Sequence, residues 1–302
     1  MVYVEKFTVK GKKYYKLVHT IRRGNKITHK VKYIGKNLPP KERLDRLKRE
    51  FLFEIINKKY RYLSSEDIEK IEDKRLEYKK NIKNLNIIEK EKNLNEFIIR
   101  FTYDSSKLAG VNVTLRQTYL ILKEGIIPSN IKNLKTVREL ENHQKVFIII
   151  TKYKGSFNMN FIKKIHKVLF TGVNDEIAGK LRSELKINIK LAGTIYIPPK
   201  WDSVEKELSV FFKWYKNENK KLHPIELAAL VHLKIISIQP FADGNSRLSR
   251  LLMNWILWKH TYPLIDIPIE DLESYYGALD KYQIEKKEEP FIGYIRDTYF
   301  KS

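Results

Sequence analysis

One segment, residues 238–250, constrains this chain more than any other because it lies between two apolar runs of helical length. The run from Pro224 to Ile236 is apolar on nearly every side, which predicts a helix at the centre of a domain. Apolar residues recur at helical spacing from Leu248 to Ile256. Pro240 ends the first helix, and the small polar residues 243–245 begin the second. The sequence therefore predicts two helices joined by a loop that is held inside the domain.

The start of the second helix predicts an anion site. The backbone amides of Gly244, Asn245 and Ser246 would point outward from a helix N-terminus, where the macrodipole favours negative charge. Arg247 and Arg250 lie three residues apart, so both side chains can reach oxygens beside those amides. A phosphate group fits this arrangement.

Asp243, which immediately precedes these amides, is the candidate Mg²⁺ ligand. A carboxylate beside a polyphosphate is a common way for a protein to hold that ion. The spacing alone leaves a second interpretation open, in which the segment is a glycine-containing turn whose two arginines pair with surface carboxylates.

The segment resembles the signature of the Fic (Fido) family, His-Pro-Phe-x-(Asp/Glu)-Gly-Asn-Gly-Arg-x-x-Arg. The matching residues are Pro240, Phe241, Asp243, Gly244, Asn245, Arg247 and Arg250. The resemblance covers roughly the last two thirds of the chain. It implies a mainly α protein whose loop binds Mg²⁺ and a nucleotide, usually ATP. It also implies an adenylyltransferase, which transfers AMP to a hydroxyl of a target protein.

Two positions depart from that signature. Gln239 stands where the family has the histidine that takes the proton from the attacking hydroxyl, and Ser246 replaces the second glycine. Glutamine cannot serve as a general base, although it can orient a hydroxyl by hydrogen bonding. The resemblance thus implies weak transfer activity. The alternative is an inactive nucleotide-binding or regulatory protein, so whether the chain is an enzyme stays open.

Residues 102–110 resemble the inhibitory helix of the family, (Ser/Thr)-x-x-x-Glu-(Gly/Asn). Ser105 and Gly110 fit that pattern, but Ala109 stands where the glutamate would be. In the family this glutamate pairs with the second arginine of the signature, so the resemblance implies that Arg250 is left free for a phosphate. The alternative is an ordinary helix start with a serine cap and a glycine stop.

Residues 194–199 resemble the family's flap. Thr194, Ile195, Tyr196 and Ile197 have β-forming character, and two prolines then end the strand. The resemblance implies a small β-hairpin over the site, which holds a segment of the target protein by strand addition. An ordinary solvent-facing hairpin is the alternative.

The overall composition limits the remaining possibilities. The chain has no cysteine, which excludes disulfides, thiolate zinc sites and cysteine nucleophiles. No apolar run reaches the length of a membrane span, and the amino terminus lacks the apolar centre of a signal peptide. We therefore expect a cytoplasmic protein with no membrane partner. The net charge of +23 predicts contact with polyanions.

That positive charge is densest at the amino terminus. The basic residues there are Lys6, Lys10, Lys12, Lys13, Lys16, Arg22, Arg23, Lys26, Lys30, Lys32 and Lys36, and they face only Glu5. Alternating apolar residues, with turn signals at Gly11 and Gly24-Asn25, predict a small antiparallel meander.

We expect the tyrosines of this meander, Tyr3, Tyr14, Tyr15 and Tyr33, to be exposed on one face, where a nucleic acid could bind by stacking and phosphate contact. This gives a third functional hypothesis, a nucleic-acid-binding protein that uses the Fic domain as a scaffold. The alternative is that the lysines only solubilise the sheet.

The predicted organisation has three parts. Residues 1–37 form the basic β-meander, residues 38–96 form a helical arm, and residues 97–302 form the Fic-like helical bundle with its flap. In the arm, one helix is predicted from Lys41 to Lys59, and Ser64 is predicted to cap the next.

Overall fold

The computed structural model describes residues 2–23, 26–56 and 60–302. The chain divides into two compact units, Met1–Lys59 and Tyr60–Ser302. This division places the first helix of the arm with the amino-terminal sheet and the second helix with the remainder of the chain. The three-part organisation with boundaries after residues 37 and 96 stays a prediction.

The first unit contains the predicted meander. Its strands are β1 Val2–Val9, β2 Lys12–Arg23 and β3 Lys26–Gly35, and the helix α1 Lys41–Ile56 follows. The three strands are antiparallel and lie in the order β1-β2-β3. The predicted turn at Gly24-Asn25 and the predicted end of α1 at Lys59 lie outside the described residues.

The tyrosines of the sheet do not all share one face. Tyr3 lies opposite Val18 and Tyr33 lies opposite Lys16. Side chains alternate along a strand, so Tyr3 and Tyr33 share a face with Tyr14, which lies two residues before Lys16. Tyr15 points to the opposite face, and the prediction that it joins the other tyrosines was wrong. The error arose because neighbouring residues of a strand cannot share a face.

The second unit is helical, which confirms the mainly α fold. Its α-helices are α2 Ser65–Asn84, α3 Ile87–Lys107, α4 Leu115–Tyr119, α5 Leu134–Lys152, α6 Met159–Phe170, α7 Arg182–Leu185, α8 Val204–Glu218, α9 Pro224–Ile238, α10 Asn245–Lys259, α11 Leu272–Glu285 and α12 Glu289–Lys301. A π-helical turn, Leu120–Glu124, continues α4, and short 3₁₀ turns precede α8 and α11. Within the described ranges, no helix is long and apolar enough to cross a membrane.

Helix α9 lies at the centre of this unit, as its apolar sequence predicts. Its residues are buried at nearly every position, and α8, α10, α11 and α12 pack around it. Pro224 occupies its first turn, where a missing amide costs no hydrogen bond. The helix ends before Pro240, and α10 begins after Gly244. The predicted arrangement of two helices joined by an internal loop is therefore confirmed.

A buried carboxylate fixes the start of α9 to the segment before α2. The side chain of Glu226 is fully buried and accepts hydrogen bonds from the amides of Tyr62 (2.7 Å), Leu63 (3.0 Å) and His223 (3.2 Å). Ser64 then caps α2 through a reciprocal pair of hydrogen bonds with Asp67, which confirms the predicted cap.

We expect Glu226→Gln to lower the free energy of unfolding by about 1–3 kcal/mol, because the variant loses charge-assisted acceptors for buried amides. Urea denaturation measures this change. The matched control is Glu69→Gln on the exposed face of α2, which should stay within about 0.5 kcal/mol of the parent protein. Equal stabilities for the two variants would contradict the structural role of Glu226.

Candidate functional site

A cavity of about 660 Å³ is lined by residues from several segments that the sequence analysis considered separately. Its lining includes Ala109 from the end of α3, Thr194 from the flap segment and Gln239 from the end of α9. The signature loop from Asp243 to Arg247 forms another wall. The volume lies within the range of small-molecule sites. The structure thus places the predicted phosphate, flap and inhibitory positions around one space.

The N-terminus of α10 opens into this cavity. Gly244 precedes the helix with a φ of +76°, and no side chain among the described residues caps the first turn. A Cβ atom on Gly244 would lie 2.3 Å from Cε2 of Phe170, so both the backbone conformation and the packing require glycine. The side chain of Asn245 is used within the loop, since it bonds both the amide (2.9 Å) and the carbonyl (2.8 Å) of Phe241. Only its backbone remains available to a ligand.

Asp243 is the exposed acid of the site, with 67% of its side chain accessible. One carboxylate oxygen accepts a hydrogen bond from the amide of Gly244, and the other lies 3.7 Å from Nη2 of Arg247. The described residues contain no cluster of three or more potential side-chain metal ligands. A single carboxylate nevertheless suits Mg²⁺, because this ion is commonly held by one or two carboxylates, substrate phosphates and water.

Arg250 is fully buried, and each of its three side-chain nitrogens donates a hydrogen bond. It donates from Nε to Oγ of Ser105 (2.9 Å), from Nη2 to the Ser105 carbonyl (2.8 Å) and from Nη1 to Oγ of Ser246 (2.8 Å). This differs from the expectation that loss of the inhibitory glutamate leaves Arg250 free. Neutral serine groups take up the guanidinium in place of a carboxylate, and one of them is the serine that replaces the family's second glycine.

Arg247 pairs with carboxylates, as the second interpretation of the segment proposed, but at a buried position. Its Nη1 lies 3.5 Å from Oε1 of Glu139 on α5, and 5% of the arginine side chain is accessible. The guanidinium also stacks over the ring of Phe170, 5.0 Å from its centre. Its Nε has no hydrogen-bond partner among the described residues. Sequence reasoning missed Glu139 because nothing in its local pattern distinguishes it from the surface acids of α5.

Gln239 ends α9 in the left-handed conformation, with φ 50° and ψ 60°. Its side chain is buried and turns back toward its own helix, where Nε2 donates to the carbonyl of Ile236 at 2.7 Å. The residue at the position of the family's general base therefore caps a helix while lining the cavity.

Arg182 holds the start of the signature loop in place, and sequence reasoning assigned it no role. The side chain is fully buried and donates from Nε to the carbonyl of Gln239 (2.6 Å) and from Nη2 to that of Ile238 (3.2 Å). A cation at a helix C-terminus is electrostatically favourable. The same side chain donates to the carbonyls of Pro199 (2.9 Å) and Ile187 (3.3 Å). It therefore ties the start of the signature loop to Pro199 at the end of the flap segment and to Ile187, which follows α7.

His166 holds the other side of the loop. The amide of Gly179 donates to Nδ1 (3.0 Å), so Nε2 carries the hydrogen and donates to the carbonyl of Asp243 (3.0 Å). The ring stacks on Phe241 with centres 3.8 Å apart. Burial lowers the pKa of His166 to about 4. The imidazole is therefore neutral near pH 7, which this pair of hydrogen bonds requires.

The flap segment differs in part from the predicted hairpin. The turn at Ala192–Gly193 is present, but residues 194–200 are extended without the hydrogen bonds of a β ladder. A lone pair of strands is marginal without further strands or packing. The segment is instead held by side chains: Thr194 donates to Asp280 (2.9 Å) and the Tyr196 hydroxyl donates to the Ser237 carbonyl (2.9 Å).

The two isoleucines of the flap point outward. Ile195 and Ile197 are 79% and 81% exposed, so they alternate with the anchored Thr194 and Tyr196. An extended backbone with two exposed isoleucines lies next to the cavity.

The inhibitory position lies at the end of a helix. Ser105 is inside α3 and buried, and Gly110 lies in the turn after it with a φ of +83°. The alternative of a serine-capped helix start is therefore wrong, whereas its glycine stop is present. Ala109 leaves the cavity open at the place where a longer side chain would enter it.

Comparisons with known proteins agree with this geometry. Residues 156–257 match the model of the Fic/DOC family. The chain is 30% identical over 192 residues to a protein adenylyltransferase Fic of Nematostella vectensis, covering 62% of this chain and 44% of that protein. It is 29% identical over 205 residues to the protein of the same name from Drosophila melanogaster, covering 67% and 40% respectively.

Solved structures show the same fold. A Fic-domain-containing signaling protein of Bacteroides thetaiotaomicron matches with a TM-score of 0.69 and 26% identity, covering 78% of this chain and 94% of that one. Fic-1 of C. elegans matches with a TM-score of 0.65 and 21% identity, covering 86% and 74%. The chain spans less than half the length of the two curated relatives. The matches show that it carries a Fic domain.

The low pKa of His166 predicts a specific pH dependence of stability. A neutral histidine is favoured in the folded state, so its contribution is complete above pH 6.5 and is lost as the pH falls toward 4. We expect the stability difference between the parent protein and His166→Gln to shrink by about 3 kcal/mol across that window. Urea denaturation at several pH values measures it. A difference that stays constant from pH 8 to 4 would contradict this assignment.

Proposed function

We propose that this Fic-domain protein binds a Mg²⁺-nucleotide, ATP, in the cavity at the start of α10 and transfers AMP slowly to a hydroxyl of a target protein. The observation that carries the proposal is the shared cavity, which joins an uncapped helix N-terminus, the exposed carboxylate of Asp243 and the flap. The relatives named protein adenylyltransferase support the same reaction class.

The phosphates would lie against the start of α10. The backbone amides of Asn245 and Ser246 supply hydrogen bonds and the positive end of the helix dipole, whereas the amide of Gly244 is bonded to the Asp243 carboxylate. Arg247 supplies a charge within the cavity lining, and Arg250 holds the first turn in place through Ser246. Asp243 would hold Mg²⁺, which would offset negative charge on the phosphate oxygens.

The residue at the position of the family's general base, Gln239, limits the rate of transfer. Gln239 has no titratable group, and loss of a positioned general base costs a factor of about 10² to 10⁴, or roughly 3 to 5.5 kcal/mol of barrier. Positioning and electrostatic stabilisation remain, which is why we propose slow transfer. The second candidate is a protein that binds the nucleotide without transferring it, favoured by the way the Gln239 side chain is used to cap α9.

A protein target fits the flap. Residues 194–200 have no ladder partner among the described residues, and although the Tyr196 amide bonds the Thr194 hydroxyl (3.2 Å), the backbone groups of Ile195 and Ile197 can pair with an added strand. Ile195 and Ile197 would contact alternate side chains of that strand. Tyr196 and Thr194 keep the segment in place while the outer face is used.

Nucleotide binding should respond to the ion pair between Glu139 and Arg247. We expect Glu139→Gln to tighten ATP binding, because the phosphates no longer compete with a carboxylate for the guanidinium. Isothermal calorimetry with Mg²⁺ measures the affinity, and a gain of about fivefold or more is expected, while Arg247→Gln should weaken binding by at least as much.

The matched control is Glu141→Gln on the same helix, whose carboxylate pairs with Arg138 at a more exposed position. This control should leave the affinity unchanged. If the parent protein binds no purine nucleotide at all, the proposed function is wrong.

AMP transfer should increase when a histidine is restored at position 239. We expect Gln239→His to raise AMP transfer by a factor of about 10² or more, with Ser246→Gly adding to the gain. Ala109→Glu in the Gln239→His background should suppress it, since a carboxylate would then occupy the phosphate cavity. Incorporation from α-labelled ATP measures all variants.

Gln239→Ala is the matched control, because alanine also lacks a proton acceptor and should bring no gain. If Gln239→His binds ATP and remains folded but transfers nothing, the phosphates are held in an unproductive position. The second candidate, a protein that binds the nucleotide without transferring it, would then be the better account of the function.

A further inference from the structure

The amino-terminal sheet has one face that packs against its own helix and one face that carries exposed aromatic side chains. Lys32 lies opposite Leu17 on neighbouring strands, and its Nζ pairs with Glu54 of α1 at 2.5 Å. Leu17 is fully buried on this side. The opposite face carries Tyr33, which is 59% exposed, and Tyr3, which is 43% exposed, while Val18 opposite Tyr3 is buried. We call the side with Tyr3 and Tyr33 the open face.

The open face carries a cluster of aromatic rings. The ring centres of Phe7 and Tyr14 lie 5.8 Å apart, those of Tyr14 and Tyr33 lie 6.0 Å apart, and those of Phe7 and Tyr33 lie 6.4 Å apart. The rings come from all three strands, so the sheet holds their positions. Tyr33 is exposed and the other two rings are half-buried, so the cluster holds Tyr33 as a platform on which a nucleobase can stack.

The charge around this platform is strongly positive. Residues 1–40 contain eleven lysines and arginines against one acid, Glu5. That acid is paired, because Nζ of Lys16 lies 2.8 Å from its carboxylate. The lysines at the turn between β1 and β2, Lys10, Lys12 and Lys13, are exposed. Such a surface complements a polyanion, and the rings favour a polyanion that also offers flat π faces.

We propose that the open face binds single-stranded nucleic acid, with bases stacked on Tyr33 and its ring cluster and with phosphates contacted by the surrounding lysines. A duplex hides its base faces inside the helix, whereas a single strand presents them to the rings. The residues of the open face belong to the first unit, and the residues that line the nucleotide cavity belong to the second.

The test uses the full chain and a fluorescently labelled single-stranded oligonucleotide, as DNA in one arm and RNA in the other. Fluorescence anisotropy should show binding that weakens steeply with added salt, since phosphate contacts release counterions. Tyr33→Leu, which keeps an apolar side chain but removes the ring, should lower the affinity about fivefold or more. Tyr119→Leu is the control, because Tyr119 is a 43% exposed tyrosine of the second unit and should have no effect.

A comparison of two adjacent lysines tests whether binding uses the open face or only the overall positive charge. Lys12 starts β2 on the side of Tyr14, whereas Lys13 lies on the opposite side. We expect Lys12→Gln to weaken binding more than Lys13→Gln and to reduce the logarithmic salt slope by about 0.7. Arg247→Gln should leave oligonucleotide binding unchanged, so failure of the nucleotide site and failure of this surface are distinguishable.

Several results would overturn the proposal. These are the absence of binding, equal losses in the two lysine variants with no loss in Tyr33→Leu, and tighter binding of a duplex of the same length. Full displacement of the oligonucleotide by vesicles containing anionic phospholipid, at an equal concentration of phosphate, would instead assign the surface to membranes.

Discussion

The site depends on one buried cation that is satisfied by backbone oxygens. Arg182 donates to carbonyls at the end of α9, to the carbonyl of Ile187 and to that of Pro199 at the end of the flap segment, so pieces of chain that are distant in sequence share one guanidinium. Moving a charge from water into the protein interior is costly unless its donors find hydrogen-bond partners. Here the carbonyls freed at the end of α9 are among those partners. The end of a helix and the wall of a cavity are thereby fixed by the same side chain.

His166 holds the other end of the loop through hydrogen bonds, and its imidazole is neutral. Because it bonds one amide and one carbonyl, the carbonyl of Asp243 is turned inward while the Asp243 carboxylate stays exposed. Arg182 and His166 together hold the loop from both ends. The Asp243 side chain bonds the amide of Gly244, and the amides of Asn245 and Ser246 in the first turn of α10 remain available.

Local patterns were sufficient to predict the helices and the loop. The apolar run of α9, the proline after it and the glycine before α10 each act within a few residues, so their effect can be inferred from the sequence. The family resemblance also located the cavity lining at Ala109, Thr194 and Gln239. The partners of Arg247 and Arg250 could not be predicted from the sequence. Glu139 and Ser105 approach them only through the packing of α5 and α3 against α10. Tyr15 was misplaced for a simpler reason, since strand alternation was not applied to adjacent tyrosines.

The left-handed backbone at Gln239 has an evolutionary consequence. A residue other than glycine in this conformation costs about 1 to 3 kcal/mol, and the surrounding hydrogen bonds already hold it there. Histidine would meet the same backbone cost as glutamine, so exchange between them adds little strain. Their codons differ at a single third-position nucleotide. A lineage carrying this chain is therefore one point mutation away from a proton acceptor at that position, on a scaffold that does not resist the change.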